Sequence, residues 1–198
     1  LICAVADCTG HGVPGAFMSL LGYNMLEDVV KTANTNSPGL LLDSLNQQVM
    51  TRLSGDDKEE TIKHAMDISL IVIDKVNNRL EFAGAHNPLY IARADKLIEL
   101  KADKIGIGAN KKQDRFFTTH TFELQKGDVI YLFTDGFPDQ IGGPHRKKFY
   151  YPPFKDLLLA NSALEMDQQK IALEETHNNW LSGKYEQTDD ILIMGIRY

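Results

Sequence analysis

Val5-Ala6-Asp7-Cys8-Thr9-Gly10-His11-Gly12-Val13-Pro14-Gly15 is the stretch on which the reading of this chain turns. The apolar run Leu1–Ala6 reads as a short buried strand, and a carboxylate closes it. A turn holding Gly10, Gly12 and Gly15 follows, and an amphipathic pattern begins at Ala16. A strand that delivers an aspartate to its tip, beside a turn rich in free backbone groups, can hold a metal ion or a phosphate. The rest of the chain decides between them.

Working outward, Ala16, Phe17, Leu20, Leu21, Met25, Val29 and Val30 fit the period of a helix. Ser37-Pro38 is a good N-cap and first-turn pair. It opens a second helix with Leu41, Leu42, Leu45, Val49 and Leu53 on one face. Gly55 to Lys63 is charged and reads as a mobile loop. Then the period changes. Ile68–Ile73, Leu80–Gly84, Leu89–Arg93, Leu97–Leu100, Phe117–Leu124 and Val129–Phe133 read as strands. Asn77-Asn78, Ala94-Asp95-Lys96 and Gly127-Asp128 turn the chain between some of them. Phe154–Leu159 and Gln168–Leu181 return to helical spacing, and Ile191–Ile196 is a last strand. Helices, then a run of strands on short turns, then helices, argue for one α+β domain over residues 1–198 with antiparallel sheet in two packed layers.

Composition narrows the class. The chain has 198 residues, 43% apolar and 24% charged, ordinary for a soluble globular protein. Its formal net charge of -6 argues against a nucleic-acid partner. Arg146-Lys147-Lys148 and Lys111-Lys112 read as solvated loops. No apolar run approaches the roughly 20 residues that span a bilayer, and no signal peptide is visible. Cys3 and Cys8 are too few for a disulfide framework and fit a reducing, cytoplasmic setting. The chain starts at Leu1, inside a strand, so the expectation is a domain cut from a longer protein whose upstream segments can include a membrane anchor.

Three apolar strands carry aspartate at an end: Asp7, Asp135 in Phe133-Thr134-Asp135-Gly136, and the pair Asp189-Asp190. Antiparallel strands can bring such ends to one edge. Carboxylates that close repel unless something positive sits among them. Oxygen ligands without thiolate suit hard divalent cations. Each Asp alone is also an ordinary turn residue; three such sites together favour the metal.

Two other readings fall away. Gly10-x-Gly12-x-x-Gly15 satisfies the dinucleotide fingerprint, but a second helix follows where a parallel strand ending in an acid is needed. A cysteine-based phosphatase needs Arg six positions after Cys8, and Pro14 stands there.

Asp7-Cys8-Thr9-Gly10-His11-Gly12 resembles the Asp-x-x-Gly-His-Gly block of bacterial metal-dependent serine/threonine phosphatases of the stage II sporulation protein E (SpoIIE) type, within the phosphatase 2C-like fold. Ala83-Gly84-Ala85-His86-Asn87-Pro88 is similar to that family's Ala-Gly-His-x-Pro turn, with an extra Ala. Gly127-Asp128 with Leu132-Phe133-Thr134-Asp135-Gly136, and Thr188-Asp189-Asp190-Ile191, resemble its remaining blocks. The resemblance implies an α-β-β-α sandwich of two antiparallel sheets flanked by helices. It implies two Mn²⁺ or Mg²⁺ ions held by Asp7, the Cys8 backbone carbonyl, Asp135 and Asp189, with Asp190, Gly10, Gly12 and Gly136 in support. A metal-activated water would attack phosphorus without a covalent phosphoenzyme. Asp7 and His11 are the catalytic candidates; His11 is open between proton donor and turn residue, and His86 reads as structural.

The resemblance further implies a phosphorylated protein substrate, including antagonists of anti-sigma factors, and a sensor or receiver region upstream. Two departures stand out. The family's upstream Gly-Gly-Asp strand is not in this sequence, so weakened metal binding and a sheet edge open to a second copy are expected. Leu192 replaces the usual Thr. The rival reading is a phosphatase-like binding module with an incomplete metal site.

Overall fold

The computed structural model describes residues 1–10, 12–53, 65–108 and 116–198. His11, the charged stretch Gly55 to Lys63, and Lys111-Lys112 lie outside the described residues. In chain order come β1 (Ile2–Cys8), α1 (Gly12–Thr32), α2 (Pro38–Leu53), β2 (Met66–Asp74) and β3 (Arg79–Ala85). Then follow β4 (Leu89–Arg93), β5 (Lys96–Leu100), β6 (His120–Glu123), β7 (Val129–Phe133) and a short α3 (Gly136–Asp139). The small hairpin β8 (Ile141–Gly142) and β9 (Lys147–Lys148) precedes α4 (Tyr151–Asn161), α5 (Met166–Leu181) and β10 (Ile193–Arg197). The fold is the expected α+β class, with two antiparallel sheets and flanking helices.

The chain divides into two compact units, Leu1–Leu89 with Leu100–Leu124, and Tyr90–Glu99 with Gln125–Tyr198. The first unit is built on a sheet of order β1-β2-β3-β6, with β1 at its edge. Its alternate residues face a core shared with α1 and α2: Ile68, Leu70, Ala83 and Ala85 meet Leu41, Leu42, Leu45, Met25 and Val29. Burying these apolar side chains is the main stabilising term.

Helix α1 corrects the periodicity reading. Phe17 and Leu20 are 62% and 60% exposed, while Met18, Met25 and Val29 are buried. Apolar residues occupy both faces, so the pattern does not by itself choose one. Close approach chooses. A Cβ on Gly22 would come within 2.8 Å of the Met66 side chain, so this face is the one that can press on the sheet.

The cap of α2 also differs in detail. The Ser37 hydroxyl pairs with the Thr119 hydroxyl at 3.0 Å, and Thr119 Oγ1 accepts the Gly39 N–H at 3.0 Å. A residue far along the chain thus satisfies a first-turn donor that Ser37 was expected to take.

The second unit has a sheet of order β10-β7-β4-β5. Every residue of β7 is buried. Phe133 packs at a tilt on Tyr90 at 4.8 Å and edge-on to Phe154 at 5.2 Å, and Phe154 meets Phe137 at 5.1 Å. The carboxylate of Asp128, 1% exposed, takes two hydrogen bonds from the Arg93 guanidinium at 2.8 and 2.7 Å and one from the Gln125 N–H. This ties β4 to the turn that enters β7.

Trp180, the one tryptophan in the sequence, sits edge-on to Phe149 at 5.2 Å. Its indole N–H donates to the Gln140 carbonyl at 3.0 Å. The Gln140 side chain in turn donates to the Glu186 carbonyl and accepts the Thr188 N–H.

Candidate active site

In the first unit, Asp7 is the penultimate residue of β1 rather than a residue beyond its tip. It stands directly opposite Asp67 of β2, and Cys8 stands opposite Met66. Directly opposed residues of an antiparallel pair point to the same face. Two carboxylates so placed repel unless a partner offsets them. Asp67 has one: its Oδ1 lies 2.8 Å from Nδ1 of His86. Asp67 is absent from the sequence-based site. It lies inside an apolar strand with no flanking Gly or second Asp, and only the register pairs it with Asp7.

The turn after β1 is a tight backbone structure. Thr9 donates to the Ala65 carbonyl at 2.9 Å, and Gly10 has φ +110, a conformation that L side chains rarely adopt. A Cβ on Gly15 would come within 2.5 Å of the Gly10 carbonyl oxygen, so the first turns of α1 rest against this loop. Burial, the largest influence, pushes the Cys8 thiol above its ordinary value. The Asp7 and Asp67 charges add to that effect, and a hydrogen bond with Ser19 opposes it.

In the second unit the structure brings Asp135 and the Asp189-Asp190 pair together through the backbone. Thr134 Oγ1 donates to the Asp190 carbonyl at 2.8 Å and accepts the Leu192 N–H at 3.0 Å. The Thr134 N–H reaches the Leu192 carbonyl at 3.0 Å. A Cβ on Gly136 would strike the Asp190 carbonyl oxygen, so glycine permits the approach. Asp135 caps α3 by position without using its side chain for the cap, and its carbonyl accepts the Asp139 N–H at 2.9 Å. Asp189 Oδ1 accepts the Asp190 N–H at 2.9 Å. The 190–192 backbone is engaged by Thr134, and strand β10 therefore begins at Ile193, two residues later than expected. Leu192 is 48% exposed, so its side chain is not part of this clamp.

Of the basic cluster, Lys148 pairs with Asp139 at 2.8 Å, and Arg146 and Lys147 are exposed. A cleft of about 380 Å³ lies at the other end of β1, against Leu1, Val72 and Arg79, away from Asp7.

Among the described residues, no three His, Cys, Asp or Glu side chains converge so as to hold an ion. The donor chemistry nevertheless fits a hard divalent cation. Asp7, the Cys8 carbonyl, Asp135 and Asp189 offer oxygen only, and the Thr134 hydroxyl ties the backbone just before Asp135 to the Asp190 carbonyl.

A family model described as Stage II sporulation protein E (SpoIIE) matches residues 1–198. Among solved structures, the SiaA-PP2C domain of Pseudomonas aeruginosa is 31% identical with TM-score 0.90, covering 100% of this chain and 75% of that one. The PP2C phosphatase domain, with a fragment of the regulatory domain, of SpoIIE from Bacillus subtilis is 22% identical with TM-score 0.74, covering 100% of this chain and 54% of that one. The catalytic domain of the serine threonine protein phosphatase PstP, in complex with 2 manganese ions, is 15% identical with TM-score 0.61, covering 97% and 85%. No curated protein matches by sequence. The fold is phosphatase 2C-like, as the motifs implied.

Proposed function

The chain belongs to the SpoIIE family, and from that premise we propose that it is a metal-dependent protein serine/threonine phosphatase, acting as the output domain of a longer signalling protein in a cytoplasmic setting. The observation that supports this reading is the Thr134–Gly136 clamp, in which the Thr134 hydroxyl holds the Asp190 carbonyl and the Leu192 N–H and Gly136 allows the close approach. The manganese ions belong to the PstP structure; for this chain we propose two Mn²⁺ or Mg²⁺ ions on Asp7, the Cys8 carbonyl, Asp135 and Asp189.

Such ions, when bound, would supply a water of lowered pKa and offset charge on the phosphoryl group. The chain's own residues supply the rest. Asp7 is oriented by strand β1, and Asp135 by its place at the start of α3. Gly10 and Gly15 let the loop backbone close against α1, whose N-terminus favours negative charge. Asp190 supports through its carbonyl, which is held by Thr134. The substrate class is a phosphoserine or phosphothreonine protein, antagonists of anti-sigma factors included.

The test is Mn²⁺-dependent hydrolysis of p-nitrophenyl phosphate by the whole chain. Activity lost on Asp135→Ala supports the reading. Activity that survives the change refutes the assigned site. Mn²⁺ binding by calorimetry without any turnover favours the binding module instead.

A further inference from the structure

The β8–β9 hairpin is a basic feature that the metal-site reading does not use. From Gln140 to Lys155 the sequence holds Arg146, Lys147, Lys148 and Lys155 and no Asp or Glu, in a chain of formal net charge -6. Lys148 is engaged by Asp139 and Lys155 by Glu99, each at 2.8 Å. Arg146 and Lys147 are exposed, and among the described residues neither pairs with a carboxylate. Adjacent like charges without a counter-charge suit an anionic partner.

The hairpin presents both cations on fixed backbone. Ile141 pairs with Lys148 and Gly142 with Lys147. The Gly143 N–H donates to the Trp180 carbonyl at 2.8 Å. The Phe149 N–H donates to the Gln140 carbonyl at 3.0 Å, and the Tyr150 N–H to the Pro138 carbonyl at 2.6 Å. A Cβ on Gly142 would strike the Trp180 carbonyl oxygen, so the hairpin lies close on α5. Two non-glycine residues here are strained. Tyr150 has φ +71 with ψ 157, a region nearly confined to glycine, and Arg146 has φ +49. Turn chemistry alone favours Gly or Asn at the Arg146 position; arginine there adds a charge at a conformational cost. The root of the hairpin is tied to α3. Lys148 grips Asp139, whose N–H bonds the Asp135 carbonyl one helical turn back. The hydrogen bond with Asp139 is the main cause that raises the pKa of the Lys148 ammonium, and the Asp135 charge adds to it. A protein whose phosphoryl group meets Asp135 therefore lies within reach of the hairpin.

We infer that the β8–β9 hairpin docks an acidic segment of the phosphoprotein partner, and that Arg146 and Lys147 receive its carboxylates. The identity of that partner rests on the phosphatase reading above. Arg146 offers a planar fork of donors that matches a carboxylate, and Lys147 a compact charge. Both are solvent-exposed, so they act on encounter and binding rather than on the chemical step. The net negative charge of the chain repels an acidic partner elsewhere, so the hairpin also sets the side from which that partner approaches.

The experiment gives the whole chain, with Mn²⁺, p-nitrophenyl phosphate, a phosphoserine peptide flanked by aspartates, and the same peptide with alanines in their place. The wild type is expected to favour the acidic peptide about 10-fold in kcat/KM, through KM, the order of two exposed ion pairs. That preference shrinks as salt rises. Arg146→Gly combined with Lys147→Gln removes the preference and leaves kcat on all three substrates unchanged. It does not lower the thermal midpoint, because glycine suits φ +49. Fluorescence anisotropy of the labelled acidic peptide without its phosphate reads docking apart from turnover, and the double variant should bind it about 10-fold more weakly. A wild type without preference for the acidic peptide, or a preference that survives the double variant, overturns this inference alone. A wild type inactive on all three substrates overturns the phosphatase reading. The anisotropy then decides docking by itself: weaker binding by the double variant upholds it, and equal binding overturns it.

Discussion

Gly136 is the residue that lets the start of α3 approach the Asp190 backbone. A methyl group there meets the Asp190 carbonyl, which the Thr134 hydroxyl already holds. Gly136→Ala is expected to cost about 2 kcal/mol of stability through backbone displacement, read by chemical denaturation. It should also weaken Mn²⁺ binding by calorimetry. Thr134→Val keeps the shape and removes two hydrogen bonds, leaving the Asp190 carbonyl and the Leu192 N–H without their hydroxyl partner; about 2 kcal/mol of destabilisation is expected. Asp128 gives a pH signature. Burial works to raise its pKa, but the Arg93 guanidinium and the Gln125 N–H together hold it below the ordinary value. A carboxyl depressed in the folded state stabilises above its unfolded pKa of about 3.9, and that stability is lost as pH falls through the folded value. Urea midpoints measured from pH 6 down to pH 2 should therefore drop more for the wild type than for Asp128→Asn. At neutral pH that variant should itself be weaker by about 3 kcal/mol, since it leaves Arg93 without its buried counter-charge.

At the scale of elements, the cap of α2 makes a clean prediction. Thr119→Ala removes the oxygen that accepts the Gly39 N–H and the partner of the Ser37 hydroxyl. About 1 kcal/mol of stability should be lost, measured by thermal unfolding, with Ser37→Ala costing no more. The contrast shows where sequence reasoning stopped. Ser37-Pro38 announced the helix start correctly, but the group that satisfies it lies 82 residues away, beyond any local pattern. Strand β7 was legible residue for residue, because five consecutive apolar positions between a Gly-Asp turn and Thr134-Asp135 admit one reading. Helix α1 was legible in existence but not in orientation. Its exposed Phe17 and Leu20 are as apolar as its buried Met18 and Met25, and the deciding term is glycine-permitted approach to Met66. Asp67 was invisible for a related reason: register is a property of two strands, and neither announces it.

For the whole molecule, the proposed ligands Asp7, Asp135 and Asp189 come from motif blocks that the two compact units divide between them. Metal loading is then the global test. An ion that binds only the folded chain stabilises it by about 2.7 kcal/mol at 100 times its dissociation constant. Mn²⁺ should raise the thermal midpoint, a chelator should reverse the rise, and Asp135→Ala should abolish it. The lone indole offers a second way to follow the same event. Trp180 is joined through Gln140 to the Thr188 N–H, one residue before Asp189, and no other tryptophan contributes light. Its emission is therefore an intrinsic optical gauge of the segment that presents Asp189. Without any label, a titration with diamagnetic Mg²⁺ that shifts this emission would read out, in real time, how far the order imposed on that carboxylate spreads into the helix behind it.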